Sequence, residues 1–217
     1  MVTPERHVAM VDRLVKETVP IKRLWSVGAR LTVCAGAGAA ILAVFVTIFP
    51  RPDLSSKLHE PWFALGLAAL VTITLYTASL ALRCAVPGRE PSPTESVLAF
   101  VLIAGASFVT CMPGAEGAPA ANVDPGWMCS LRTLGIAALP WVLLLLAIRR
   151  GAPVTGWRAG AFGAAAALLL ATLSLRTACP QDGSLHWLAW HFGPVAVGTA
   201  LSATLGAAWL RVWHRPN

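Results

Sequence analysis

Six long apolar runs, each closed by a charge, a proline or a glycine, leave this chain very few ways to fold. They cover residues 31–49, 62–82, 96–111, 131–148, 157–175 and 188–210. A hydrocarbon layer about 30 Å thick offers no hydrogen-bond partner to a backbone N–H or C=O, so a crossing segment needs about 20 apolar residues in a helix that satisfies itself. Only 12% of the 217 residues are charged and 56% are apolar, whereas roughly 25% of an ordinary soluble domain is charged. The sequence therefore predicts an all-α, polytopic integral membrane bundle of six transmembrane helices. The runs end at Pro50-Arg51-Pro52, Arg83 with Pro87-Gly88-Arg89, Pro113-Gly114, Arg149-Arg150-Gly151, Arg176 and Arg211. Proline lacks the donor a helix needs, and a cation is costly to bury in lipid.

A net charge of +7 could suggest nucleic acid, but in a membrane chain excess Lys and Arg mark the cytoplasmic loops. With six spans, 13 of the 17 basic residues fall on the side of the N-terminus, and only Arg51, Lys57, Arg132 and Arg176 fall on the other. Both termini are thus expected in the cytoplasm, and no direct contact with nucleic acid is expected. The organisation reads as a cytoplasmic segment (1–30), a six-helix membrane domain (31–210) and a short cytoplasmic tail (211–217). The first run begins about 30 residues in, with no small-residue cleavage pattern after it, so it reads as a retained span rather than a signal peptide. Gly36 and Ala40, and Gly156, Gly160 and Ala164, recur at four-residue spacing. That spacing suits close helix packing, although small residues are common throughout the chain.

Ionisable side chains are almost absent from the spans, which argues against an ion-coupled transporter. The five cysteines, Cys34, Cys84, Cys111, Cys129 and Cys179, include no C-x-x-C pair and no haem attachment motif. Cys34 and Cys84 read as inert, buried thiols. Cys129 and Cys179 both fall in outer loops, where a bridge, a sensing pair or two unpaired thiols are all open.

The stretch from Ala178 to His191 concentrates a thiol, a carboxylate and two imidazoles. Asp182 and His186, four apart, would share a face of a regular helix, whereas His186 and His191, five apart, would diverge. Zinc sites ordinarily take tighter and more numerous ligand pairs. The stretch therefore reads first as a Trp and His belt anchoring the sixth span, with Trp187 and Trp190 at the interface. At the other end of the chain, Thr3 can cap a helix that starts at Pro4. Val8, Val11, Leu14 and Val15 then form an apolar stripe that stops at Pro20. So short a helix is marginal in water, and its stripe should rest on lipid or on a protein partner.

The run from Val11 to Leu24, the Val86-Pro87-Gly88-Arg89 turn, Cys129, and the pattern Cys179-Pro180, Asp182, His186, Trp190-His191 together resemble the NrsF-like family. These are bacterial six-span inner-membrane proteins that act as anti-sigma factors against extracytoplasmic-function sigma factors. The resemblance implies that the cytoplasmic segment sequesters the sigma factor, with Val11, Leu14, Val15, Pro20 and Ile21 as its apolar contact and Arg13 and Arg23 at the rim. It implies that Cys129 and Cys179 take part in sensing an envelope, oxidative or metal signal, and that Pro180, Asp182, His186, Trp190 and His191 form the outer-loop motif. It implies no cofactor and no catalysis, and it assigns no metal. A similarity to the myxobacterial carotenoid regulator CarR would make the stimulus photo-oxidative. The alternatives from other classes are a membrane thiol oxidoreductase using the outer cysteines and a small-solute facilitator. The oxidoreductase would need a second cysteine pair and a quinone or haem pocket.

The charge division has a direct test. Reporter fusions at Asn217 and in the loop around Gly117 should report opposite compartments, and the same compartment for both would contradict the six-span arrangement.

Overall fold

A computed structural model describes residues 4–17, 24–112 and 126–210. Among these the chain is helical, without strands, and six helical stretches are long and apolar enough to cross a membrane. In chain order the elements are α1 (Pro4–Glu17), α2 (Val27–Ile48), α3 (Leu54–Lys57), α4 (Pro61–Arg83), α5 (Pro93–Cys111), α6 (Trp127–Arg149), α7 (Gly156–Arg176), α8 (Ser184–Trp187), a π turn (Leu188–Phe192) and α9 (Gly193–Trp209). The spans are α2, α4, α5, α6, α7 and the α8–α9 stretch. Each expected run lies on one of them, and the observed helices extend the runs by a turn or less at most ends.

Local chemistry sets several helix starts. The Ser26 side chain accepts from the Ala29 N–H. Ser92 and Glu95 form a reciprocal capping box around Pro93 at the first helical position, satisfying donors that a helix start leaves open. Arg83, at the end of α4, then grips the Glu95 carboxylate with both Nη atoms, tying α4 to α5 across the turn at Gly88. That glycine sits at φ +77°, a left-handed conformation in which a side chain would be strained.

Buried nearly throughout, α7 is the axis of the bundle. Its middle reads Gly160-Ala161-Phe162-Gly163-Ala164-Ala165-Ala166-Ala167, a thin helix that neighbours approach from several sides. The most apolar span, α2, is by contrast the least covered, with Val33, Val44 and Ile48 exposed. This distribution fits a bundle in lipid, where large apolar groups gain nothing by leaving the tails and small residues permit contact.

A Cβ on Gly156 would lie 2.5 Å from the Gly206 carbonyl oxygen, and one on Gly160 would overlap the Ser202 carbonyl. Of the two small-residue stripes, this one is therefore a helix interface. The other is not, because a Cβ on Gly36 would meet nothing within 4 Å and Ala40 is exposed; it is Gly38 that packs, on Leu170. Polar bonds reinforce the α7–α9 contact in the apolar interior. Trp141 Nε1 donates to Ser202 Oγ at 3.1 Å, and Ser202 Oγ donates to the Gly160 carbonyl at 3.0 Å.

Successive spans alternate in direction. The ends of α4, α6 and α9 meet the starts of α2 and α7 in one apolar cluster that includes Val27, Leu82, Cys84, Ile148, Ala159 and Leu210. There the buried Arg30 donates to the Leu82 carbonyl at 3.2 Å. The opposite end, expected to lie outside, gathers Cys111, Cys129, Cys179 and Trp187.

Gly160→Ala should force α7 from α9 and lower the thermal stability of the detergent-solubilised protein by about 1–3 kcal/mol. Gly36→Ala, on the open face, should leave it unchanged or slightly raise it, and equal losses for the two variants would contradict the packing described.

Candidate functional site

At the end expected to lie outside, three chain segments bring four side chains of metal-ligating type to one point. Cys129 lies in the first turn of α6, its N–H bonded to the Gly126 carbonyl at 2.8 Å. Cys179 follows α7 in a tight turn, its own N–H bonded to the Leu175 carbonyl at 2.7 Å, which folds the thiol back into the bundle. His186 is on α8 and His191 is in the π turn. One ligand atom from each of the four lies within 4.8 Å of the other three, and Cys179 Sγ is 3.8 Å from His186 Nε2.

The π turn is what unites the histidines. An α-helix would send residues five apart in different directions, but the wider turn closed from Gly193 N–H to the Leu188 carbonyl aligns them. Their ring centroids are 5.4 Å apart. The expected divergence of His186 and His191 is thereby corrected. So is the interfacial belt: Trp187 is fully buried and stacks on His191 with centroids 4.0 Å apart, and its Nε1 donates to the Gln181 carbonyl at 2.6 Å. Trp190 is half-buried; its carbonyl accepts from Ser130 Oγ at 2.9 Å. A Cβ on Gly126 would lie 2.7 Å from His186 Cε1 and 2.5 Å from Trp190 Cδ1, so the absence of a side chain there lets α6 close against the site.

Asp182 does not share a helix face with His186. It lies before α8, in the 177–183 connection, and joins a separate charge network. The buried Arg51 donates to both Asp53 oxygens at 2.6 and 2.9 Å and to both Asp182 oxygens at 3.0 and 2.9 Å. Lys57 lies 3.3 Å and the buried Arg176 3.5 Å from Asp182. Both guanidiniums flank the Phe63 ring, and Arg176 also lies 4.6 Å from the Trp187 centroid. A cation–π stack thus links the charge network to the ring covering His191. Pro180, between the two assemblies, is exposed.

From the sequence, Arg51 and Arg176 read only as charges that end spans, and Lys57 only as a basic residue of the sparse side. Their scarcity was the available signal, since they are three of just four basic residues on the sparse side of the chain, and all three converge on one carboxylate. Of the N-terminal residues, Val11, Arg13, Leu14 and Val15 lie on α1 with exposed side chains. Pro20, Ile21 and Arg23 lie outside the described residues, as does the Thr3 cap.

Burial opposes ionisation of Asp182, but hydrogen bonds and charge from Arg51 outweigh it and hold the carboxyl below the usual range. Asp53 is likewise held down, first by its hydrogen bonds from Arg51. Burial pushes the Cys179 thiol up to about 11, so this cysteine is protonated at neutral pH in the absence of a cation. Because both carboxyls have depressed values, the pairs contribute fully above the unfolded carboxylate pKa of about 3.9 and are lost as pH falls through the folded values. Thermal stability in detergent should therefore hold from pH 7 to 5 and drop below about 4. Asp182→Asn should lower it at pH 7 and flatten the acid drop, and an unchanged acid profile would contradict the network.

The arrangement offers two thiols and two imidazoles to one centre. Compared with known families, residues 14–213 match the family model described as NrsF, negative regulator of sigma F. No curated protein and no solved structure matches. With the match running through all six spans and the outer motif, the chain belongs to the NrsF family of negative regulators of a sigma factor.

Proposed function

We propose that the chain sequesters an extracytoplasmic-function sigma factor at the bacterial inner membrane through its cytoplasmic N-terminal segment and releases it on an envelope, oxidative or metal signal received at the outer cluster. The observation that carries this reading is α1. Val8, Val11, Leu14 and Val15 are all more than half exposed on a 14-residue helix, an apolar stripe that so short a helix does not hold in water by itself. A sigma factor, the partner that the family description names, would cover it, with Arg13 and Arg23 at the rim. In this role the protein binds and releases without catalysing a reaction. The family match favours that over the thiol oxidoreductase and the facilitator.

The route from outside to inside runs along two helices. Cys129 is at the outer start of α6 and Cys179 just beyond the outer end of α7, while the inner ends of both helices meet in the short connection that follows Arg149. An altered bond between the outer groups would shift α6 against α7 without moving any charge across the bilayer. The connection would carry that shift to the face expected to hold the sigma factor. This requires two packings of the bundle that differ by a few kcal/mol.

Burying one Leu or Val side chain is worth about 1.5–3 kcal/mol, so Leu14→Asp should weaken the complex by about ten-fold or more. Co-purification of the sigma factor from detergent extract reads this directly. Undiminished recovery with that variant would move the contact to the loops at Arg89 and Arg150.

A further inference from the structure

We propose that Cys129, Cys179, His186 and His191 form a tetrahedral site for a borderline-soft divalent cation of the Zn²⁺ type. The inference names the ligand of the outer cluster, and its test involves no sigma factor, so it stands or falls apart from the reading above.

Geometry supplies the first argument. In a tetrahedral zinc centre with Zn–S near 2.3 Å and Zn–N near 2.0–2.1 Å, ligand atoms stand roughly 3.3–3.8 Å from one another. Cys179 Sγ and His186 Nε2 are already 3.8 Å apart, and all four ligand atoms lie within 4.8 Å of each other. A contraction of about an ångström, within reach of side-chain torsions, completes the shell.

His191 supplies the second. Its ring is wholly buried, and neither ring nitrogen has a hydrogen-bond partner. A buried polar group without a partner is costly, and a coordination bond removes that cost at one nitrogen. Trp187, stacked on the ring, fixes its plane. The backbone is shaped to the same end, since the π turn brings His191 beside His186 and Gly126 leaves the space that the His186 and Trp190 rings occupy.

The donor set selects the ion. Thiolate sulfur and imidazole nitrogen exclude Ca²⁺ and Mg²⁺, which take oxygen, and four convergent ligands without a carboxylate match a closed structural zinc site. On binding, each thiol gives up its proton to the outer aqueous face: Zn²⁺ and two thiols become a zinc dithiolate and two released protons. Two thiolates and two neutral imidazoles around Zn²⁺ carry no net charge, so the filled site adds no uncompensated ion to the bundle. Asp182 stays with Arg51, Lys57 and Arg176 and is not a ligand.

The test uses the full chain, purified in detergent under reducing conditions. The expected result is one zinc per chain by elemental analysis. Replacement by Co²⁺ should give the visible bands of tetrahedral cobalt together with a sulfur-to-cobalt charge-transfer band. Removing a ligand exceeds the losses of about 10–100-fold typical of second-shell changes, so His191→Ala and Cys179→Ser should each weaken cobalt binding by more than about 100-fold. Cys34→Ser should leave the spectrum intact. Because a ligand variant can fail to fold, the unmodified chain gives a second readout, in which added Zn²⁺ should slow alkylation of Cys129 at least about ten-fold. Chains without zinc whose thiols alkylate equally fast with and without it would overturn the proposal. So would an octahedral cobalt spectrum, a spectrum indifferent to His191→Ala, or recovery of Cys129 and Cys179 only as a disulfide that binds no cation after reduction.

Discussion

The approach of two helix backbones at Gly156, Gly160 and Gly206 fixes the arrangement of the bundle. Lipid tails are as apolar as leucine, so the hydrophobic effect does not draw helices together once they are inserted; close packing and buried polar bonds must do it. The glycines let α7 and α9 meet backbone to backbone, and Ser202 bonds the Gly160 carbonyl at the point of contact. With α7 as the axis, Cys179 just beyond its C-terminal end and the π turn at the start of α9 hang from the two most tightly joined helices. The cluster of cysteines and histidines thus sits on rigid supports.

A second constraint acts at the end of the bundle that holds this cluster, where two arginines are buried. One carboxylate, Asp182, accepts two hydrogen bonds from Arg51 and lies close to Arg176 and Lys57. Removing Asp182 would strand the charge of the buried Arg51 and Arg176. The network therefore holds the 177–183 connection against the start of α4, and Arg176 extends it through Trp187 to His191. The candidate ligand cluster and the charge network are joined by the Trp187 ring and by the 177–183 connection, which carries both Cys179 and Asp182. A change in either would be felt by the other.

Much of this was legible in the sequence, for physical reasons that also explain the misses. Backbone satisfaction in lipid requires runs of about 20 residues, so the six spans could be read almost to their ends. Cys129 and Cys179 followed from counting crossings, and Gly156 and Gly160 from their spacing. His186 and His191 are legible as motif residues, but their convergence is not, because a regular helix would send them apart and a π turn carries no plain signature in the residues Leu188 to Phe192. Trp187 was placed at the interface because tryptophan is common there, and only tertiary packing shows it closed inside. Gly36 shared the spacing of Gly160 but had no helix opposite it, which spacing alone does not reveal.

The central claim is that the state of the outer cluster sets sigma binding at the far end of α6 and α7. Its most direct measurement is transcription from the sigma-dependent promoter, with and without an oxidant or a thiol-binding metal. The comparison is among the parent strain and strains carrying Cys179→Ser, His191→Ala or Cys34→Ser. The account predicts that the first two variants lose the response, with the protein still present in the membrane, while Cys34→Ser responds like the parent. A parental response from Cys179→Ser and His191→Ala would contradict it.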